Sequence, residues 1–224
     1  MGLMKLYSMS DIHGCIDSFE ESLSMIKDQL KEKDTKLILL GDYIHGPNSC
    51  AVLDRVMELQ REYGTEKVIA LMGNHEDMVL DGRMPISKNT VEGEKKRQYL
   101  IWIKKLPRYY VEGKTIFVHA GVEEDAKDMW KWGTDDYTFT EKFPAQTGNF
   151  YGDWKIVAGH IGTSTIADDR EFHDIYYDGE SHYYIDGSVS YSGRIPILLV
   201  DTEEDKYYQV YKEGKKEVLP YHKK

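Results

Sequence analysis

Three times within the first 80 residues, a short apolar run stops at a polar turn and hands over to an amphipathic helical stretch. Residues 3–9 end at Ser10-Asp11-Ile12-His13-Gly14, residues 36–40 at Gly41-Asp42, and residues 67–72 at Gly73-Asn74-His75-Glu76. Between them Phe19, Leu23, Ile26 and Leu30, and then Val52, Val56, Leu59 and Tyr63, recur at the spacing of one helical face. Asp17 and Glu20 are placed as a capping pair for the first of these helices. Repeated strand–turn–helix units restrict the chain to an α/β architecture with a partly parallel sheet. In such sheets sites form outside the carboxyl ends of the strands. That is where Asp11, His13, Asp42, Asn74 and His75 fall.

The rest of the chain continues the pattern with interruptions. Residues 81–93 carry turn residues without periodicity, and the stretch 81–98 is expected to run over a rim. Residues 94–106 read as a helix with Tyr99, Ile103 and Leu106 on its apolar side, stopped by Pro107. Residues 108–111 and 114–118 flank Glu112-Gly113 as a hairpin that ends at His119-Ala120-Gly121. Residues 122–152 are acidic and aromatic, too apolar for a linker, and are expected to form an ordered cover. A strand over 155–158 ends at Gly159-His160. The tail offers strands over 183–185, 195–200 and 207–211, all expected to be antiparallel. The length of 224 residues suits one domain spanning 1–224.

Charge narrows the partners. The formal net charge is −10, which disfavours a surface for duplex nucleic acid, because phosphate contacts need clustered Lys and Arg. A phosphorylated substrate would then need local positive charge, and bound metal is the obvious supply. Two cysteines, Cys15 and Cys50, form neither a disulfide framework nor a zinc knuckle. They fit a reducing, cytoplasmic setting. No apolar stretch has the length of a membrane span or the pattern of a secretion leader, and Leu6 stands where a myristoylation signal has Ser or Thr.

Asp11, His13, Asp42, Asn74, His75, His119 and His160 each lie within three residues of an apolar strand end. Five such stations are too many for incidental polar residues. Carboxylate, imidazole and amide oxygen without thiolate suit divalent first-row metals, manganese first, with iron or zinc as alternatives. One Asp can serve two ions held roughly 3.5–4 Å apart, an arrangement that clamps the attacking and leaving oxygens of a phosphoryl transfer.

Taken together, Asp11-x-His13, Gly41-Asp42, Gly73-Asn74-His75-Glu76, Val118-His119-Ala120-Gly121 and Gly159-His160, with Leu106-Pro107 and Ile185-Asp186-Gly187, resemble the calcineurin-like metallophosphoesterases. More narrowly they resemble the bacterial serine/threonine phosphoprotein phosphatase group, which includes symmetrical dinucleoside tetraphosphate hydrolases. The resemblance implies an α/β fold with a two-sheet β core flanked by helices in four layers, α/β/β/α, and the metals at one end. It implies that Asp11, His13 and Asp42 hold one divalent ion, and that Asp42, Asn74, His119 and His160 hold a second. The implied nucleophile is a hydroxide bridging the ions. His75 is then no ligand but the general acid that protonates the leaving oxygen.

One station departs from the group. The usual Gly-Asp-x-x-Asp-Arg-Gly reads Gly41-Asp42-Tyr43-Ile44-His45-Gly46-Pro47 here. The Asp that orients the general acid and the Arg that grips phosphate are both replaced by His45. Glu76 or Asp77 are the candidates to support His75. His45, Lys131 and Arg194, with Arg83 and Arg97 behind them, are the candidates to bind substrate. His173, His182 and His222 have no motif context. The leading expectation is hydrolysis of phosphomonoesters, with phosphoserine and phosphothreonine in proteins among the candidates. The alternative is a nucleotide anhydride, such as a dinucleoside polyphosphate, or a phosphodiester. A non-catalytic metal-binding protein is the third reading.

Overall fold

The computed structural model describes residues 4–88 and 90–223. In chain order these residues form β1 (Lys5–Met9), α1 (Ile16–Ile26), β2 (Thr35–Leu39), α2 (Ser49–Tyr63), β3 (Val68–Ala70), α3 (Asn74–Leu80) and α4 (Gly93–Ile103). There follow β4 (Tyr109–Glu112), β5 (Thr115–Val118), a 3-10 turn (Glu124–Met129), α5 (Trp130–Gly133), α6 (Asp136–Glu141), β6 (Lys155–Ala158) and α7 (Thr163–Ile166). The chain closes with β7 (Tyr176–Tyr177), β8 (His182–Tyr184), α8 (Val189–Ser192), β9 (Ile197–Asp201), β10 (Lys206–Tyr211) and β11 (Gly214–Glu217). The expected start of the first strand at Leu3 lies outside the described residues.

Two mixed sheets result. One has six strands in the order β11-β10-β9-β1-β2-β3, the other five in the order β4-β5-β6-β8-β7. Strand alternation sorts the side chains into layers. Tyr7, Met9, Leu37, Leu39, Val68 and Ala70 point from the first sheet into a core with Phe19, Leu23, Val52, Val56, Tyr99 and Ile103 of α1, α2 and α4. Their strand neighbours Leu6, Ile38, Ile69, Leu198 and Val200 point the other way, against Phe117, Val157 and Tyr183 of the second sheet. The outer face of the second sheet, with Ile116, Val118, Ile156, Ala158 and Tyr184, is covered by Trp130, Phe139 and Phe150. Segment 122–152 therefore supplies the fourth layer, and its aromatic residues are its core.

Some local expectations change. Cys15, not Asp17, stands before the first turn of α1 and no side chain caps it. Glu20 instead reaches across to Arg55 of α2 at 2.6 Å. The expected tail strands do not all run antiparallel or share one sheet. β9 and β10 are antiparallel members of the first sheet, but β8 pairs parallel with β6 in the second. A three-residue apolar run cannot announce which of two stacked sheets it will join. His182, which has no motif context, has a structural role. It is buried on β8, with Nδ1 2.8 Å from Asp178 and Nε2 3.1 Å from Glu124 of the cover.

This layering fixes the position of the polar stations. β1, β2 and β3 run parallel, as do β5 and β6. Their carboxyl ends meet at one edge of the seam between the sheets. Backbone hydrogen bonds stitch the exit loops together: Asp11 N to Gly41 O, His13 N to Asp42 O and Gly14 N to Tyr43 O on one side, Gly159 N to His119 O on the other.

Candidate metal centre

Gly73 sits where the exits of β2 and β3 come close together. A Cβ there would collide with the backbone and carboxylate of Asp42, so only glycine lets β3 turn into α3 so close to the end of β2. Gly159 is under the same constraint from Ser10 and Asp11. With backbones this close, side chains from both sheets converge. Asp11, Asp42 and Asn74 are buried, His119 is fully buried, and His13 and His75 are half-buried.

Two imidazoles are oriented by backbone carbonyls. His13 Nδ1 lies 3.1 Å from Ile44 O, and His119 Nδ1 lies 3.0 Å from Leu40 O. A carbonyl can only accept, so Nδ1 carries the proton and each neutral ring presents its Nε2 lone pair. Those lone pairs face oxygens. His13 Nε2 is 3.7 Å from both Asp11 Oδ1 and Asp42 Oδ2, and His119 Nε2 is 3.5 Å from Asp42 Oδ1. Such separations exceed a hydrogen bond but suit ligands sharing one ion, because atoms each about 2.0–2.2 Å from a metal lie roughly 3–3.7 Å apart.

Asn74 makes the same point. Its Oδ1 sits 2.9 Å from His119 Nε2, one acceptor against another. Rotating the amide would let its NH2 donate to His119 and to both Asp42 oxygens, at 2.9, 3.2 and 3.1 Å. A cation between these atoms satisfies them with the carbonyl left facing inward. The donor set therefore fits divalent metal, and Asp42, facing both imidazoles, occupies the shared position. The cluster of His13, Asp42 and His75 and that of Asp11, Asp42 and His119 meet in this residue. His160 enters differently: its backbone N–H donates to Asp11 Oδ2 at 2.9 Å, and its ring packs edge-on against His119 at 5.1 Å.

The electrostatics are those of an anionic pocket. Burial, then the fields of Glu76 and Asp11, pushes the Asp42 carboxyl well above its ordinary range. Burial and then Asp11 push Asp186 up to about 8. Burial opposes ionisation of Asp11, but the facing imidazoles, His13 above all, overcome this and hold it below the ordinary range. Burial disfavours the His13 cation too, yet Asp11 and Asp42 together push it up to about 10. Without metal, a proton on His13 thus supplies part of the positive charge this cluster of carboxylates requires.

Glu76 has a job that its sequence position did not disclose. It is fully buried. Its Oε2 accepts from Asp42 N at 2.8 Å and Gly73 N at 3.2 Å, and its Oε1 accepts from Tyr43 N at 2.9 Å. It pins the β2 and β3 exit loops together and is not the partner of His75. Asp77 is not that partner either. It is bound by Arg108 at 2.5 and 3.2 Å, and Arg108 also reaches Asp136 of α6 at 2.8 Å. The neighbour of His75 is His45, with Nδ1 to Nδ1 at 2.8 Å. His45, a candidate to contact substrate, has its ring turned to His75. Of the other substrate-binding candidates, Lys131 lies over the ring of Trp130 at 5.6 Å and Arg194 faces Asp174 at 3.7 Å. Their partners are these residues, not the ligand cluster. Arg83 bonds Glu141 at 3.1 Å, and the charge of Glu141 is felt at His160.

The backbone at the centre is itself unusual. Asp11, His13, Asp42, His45 and His160 have φ of 53, 46, 56, 69 and 65°, the left-handed region that side chains other than glycine rarely enter.

Known proteins resemble this chain in sequence and in fold. Symmetrical bis(5'-nucleosyl)-tetraphosphatases of Nitrosospira multiformis and of an Acidovorax strain are 30% and 33% identical to this chain over 128 and 132 residues. In both, the match covers 53% of this chain and 44% of the relative, so the chain spans about half the length of the curated relatives it matches. A solved cold-active protein tyrosine phosphatase superposes with a TM-score of 0.66 at 16% identity, over 98% of this chain and 80% of that one, a likeness of fold. Residues 4–198 match the calcineurin-like phosphoesterase family. With two stacked sheets, ligand-bearing loops at their common edge and a family match over most of its length, the chain belongs to the calcineurin-like phosphoesterases.

Proposed function

We propose that this protein is a dinuclear-metal phosphohydrolase whose preferred substrates are nucleotide phosphoanhydrides, dinucleoside polyphosphates first. The observation that carries the hydrolase reading is the convergence of the His13 and His119 lone pairs with oxygens of Asp11, Asp42 and Asn74. Asp11, His13 and Asp42 would hold one ion, and Asp42, Asn74, His119 and His160 the other. When bound, such a pair supplies hydroxide at neutral pH and neutralises charge on the phosphoryl oxygens. Manganese suits the donor set best, with iron or zinc next.

The chain's own residues supply the rest. His13 and His119 are held in the tautomer that leaves Nε2 free for metal. Glu76 fixes the loops that carry Asp42 and Asn74. His75 lies 3.5 Å from Asp42 Oδ2 through Nε2 and delivers the proton to the leaving oxygen. Its neighbour is an imidazole, which lacks the negative charge with which a carboxylate would stabilise the protonated ring. A phosphate leaving group, already a weak base, depends less on that proton than an alkoxide does. This supports anhydrides over phosphoserine or phosphothreonine, and the names of the two bacterial relatives agree. The two cysteines are free and, among the described residues, no helix is long and apolar enough to cross a membrane. We assign the activity to the cytoplasm.

A substrate panel tests this. Purified protein loaded with manganese, iron or zinc is assayed on diadenosine tetraphosphate, p-nitrophenyl phosphate, bis-p-nitrophenyl phosphate and phosphopeptides. The expected order puts the dinucleotide first and the phosphopeptide last. Faster turnover of phosphopeptide restores the monoesterase reading. No turnover by fully metallated protein leaves the non-catalytic one.

A further inference from the structure

The geometry points to His45 as the positioning residue for His75, through a direct imidazole–imidazole hydrogen bond that fixes the tautomer and ring orientation of the proton donor. This deepens the reading of His75 as general acid and rests on it. The two Nδ1 atoms are 2.8 Å apart, with ring centroids 4.5 Å apart and the planes at 58°. A nitrogen–nitrogen contact of that length holds one proton: one atom donates and the other accepts. The assignment follows from what each ring must do. A proton donor keeps an N–H at Nδ1 in both its neutral and its protonated form only if its neighbour accepts there. His45 is therefore the ring that accepts, as the tautomer with its proton on Nε2, and its exposed edge leaves that proton to water. His75 then turns Nε2 toward the centre, where Asp42 Oδ2 lies 3.5 Å away.

The loop is built to hold His45 in place. Its backbone sits at φ 69°, held between the pinned turn at Asp42 and Tyr43 and Gly46, where a Cβ would collide with His13 O. The bonds from His13 N to Asp42 O, 2.8 Å, and from Gly14 N to Tyr43 O, 2.9 Å, tie this turn to the loop carrying His13. His45 thus moves only with the ligand-bearing loops. The two carboxylates that follow His75 in the chain are engaged elsewhere. Glu76 is taken by three amides and Asp77 by Arg108.

The test uses side chains that the left-handed backbone accepts. Asn and Asp enter this region readily and glycine freely, and their Oδ1 falls where His Nδ1 now lies. His45→Gly removes the acceptor without backbone strain; His45→Asn and His45→Asp restore one. Steady-state kinetics are measured with phosphate esters of graded leaving-group basicity. For basic leaving groups, His45→Gly should lower kcat about 10- to 100-fold, the range outer partners of a working imidazole contribute, with KM and metal content unchanged. For p-nitrophenyl phosphate the loss should be about threefold or less. Asn, Asp or added free imidazole should restore the rate. Proton NMR supplies a readout independent of turnover: the hydrogen-bonded Nδ1–H of His75 should be seen in the wild type and in His45→Asn, and lost in His45→Gly. Equal rates in all variants, or the His75 resonance unchanged in His45→Gly, overturns the assignment. A loss that is uniform across leaving groups and not rescued makes His45 a loop residue only. If the wild type turns over nothing while the resonance behaves as expected, the hydrogen bond stands and the general-acid reading falls.

Discussion

Replacing Glu76 distinguishes a carboxylate that pins loops from one that serves His75. Glu76→Gln keeps the side chain's shape but leaves one carboxylate oxygen as an NH2 group. The amide oxygen best takes the place of Oε2, which accepts from both Asp42 N and Gly73 N. The NH2 then confronts Tyr43 N–H, now 2.9 Å from Oε1. One charge-assisted bond is lost and a buried donor is left unpaired, at a cost of about 1.5–3 kcal/mol. Glu76→Ala strands three amides and costs roughly 3–6 kcal/mol, a large share of the about 5–15 kcal/mol that holds a domain together. Urea unfolding of the metal-free protein measures both changes, and metal titration should show about 10- to 100-fold weaker binding, because Asp42 and Asn74 lose their frame. There is a signature in pH as well. Burial pushes Glu76 from 4.5 up to about 7, against its three amide bonds. The folded chain therefore binds this proton more tightly than the unfolded chain. That contribution to stability is complete below about 4.5 and is lost as pH rises through about 7. Glu76→Gln should flatten that part of the stability curve. A Gln variant with wild-type midpoint and metal affinity but impaired turnover would refute the pinning role and return Glu76 to His75.

Other outcomes follow from the same geometry. Metal binding at pH 8 should release at least one proton, because His13 is held up to about 10 in the metal-free protein; calorimetry in buffers of different ionisation enthalpy measures it, and heats independent of buffer would contradict it. The His13 cation stabilises the metal-free fold fully below about 6.5, and that support is lost as pH rises through about 10. His75→Ala should retain both metals by elemental analysis and lose about 10²- to 10⁴-fold in kcat on basic leaving groups; loss of metal would make His75 a ligand. His182 is lowered by burial but raised further by its bonds to Asp178 and Glu124, up to about 9. Its support for the cover is therefore present below about 6.5 and lost through about 9, so the melting temperature should fall between pH 7 and 10 in the wild type and less steeply in His182→Gln.

The sequence was most legible where one position had one physical meaning. Polar residues just past apolar strands had to gather at a common edge once the strands ran parallel, so the convergence of Asp11, His13, Asp42, Asn74 and His119 could be read from spacing. Helical faces such as Val52, Val56 and Leu59 were equally plain. Illegible were the choices made by direction rather than position. Glu76 follows His75 in the chain, yet one helical step of about 100° turns it from the pocket toward the amides beneath. The capping pattern of Asp17 and Glu20 gave way to Arg55 on a neighbouring helix, a contact no local window contains. β8 pairs parallel with β6 in the second sheet, and its His182 is held by Glu124, 58 residues away in the chain, equally far outside any local window. The pairing of His45 with His75 depended on a left-handed turn that histidine seldom makes.

That left-handed turn is one of five at the centre, and five such backbones set a limit on how robust the protein can become. The strain falls on the three histidines, at up to about 1–2 kcal/mol each, and least on Asp11 and Asp42, because Asp enters this region readily, so a glycine at His13, His45 or His160 would relax the backbone locally. A laboratory selection for heat resistance alone should therefore drift toward glycine at these positions and yield hardy, inert descendants. A selection that also demands turnover must find its gains elsewhere, in the helices and in the aromatic layer over the second sheet.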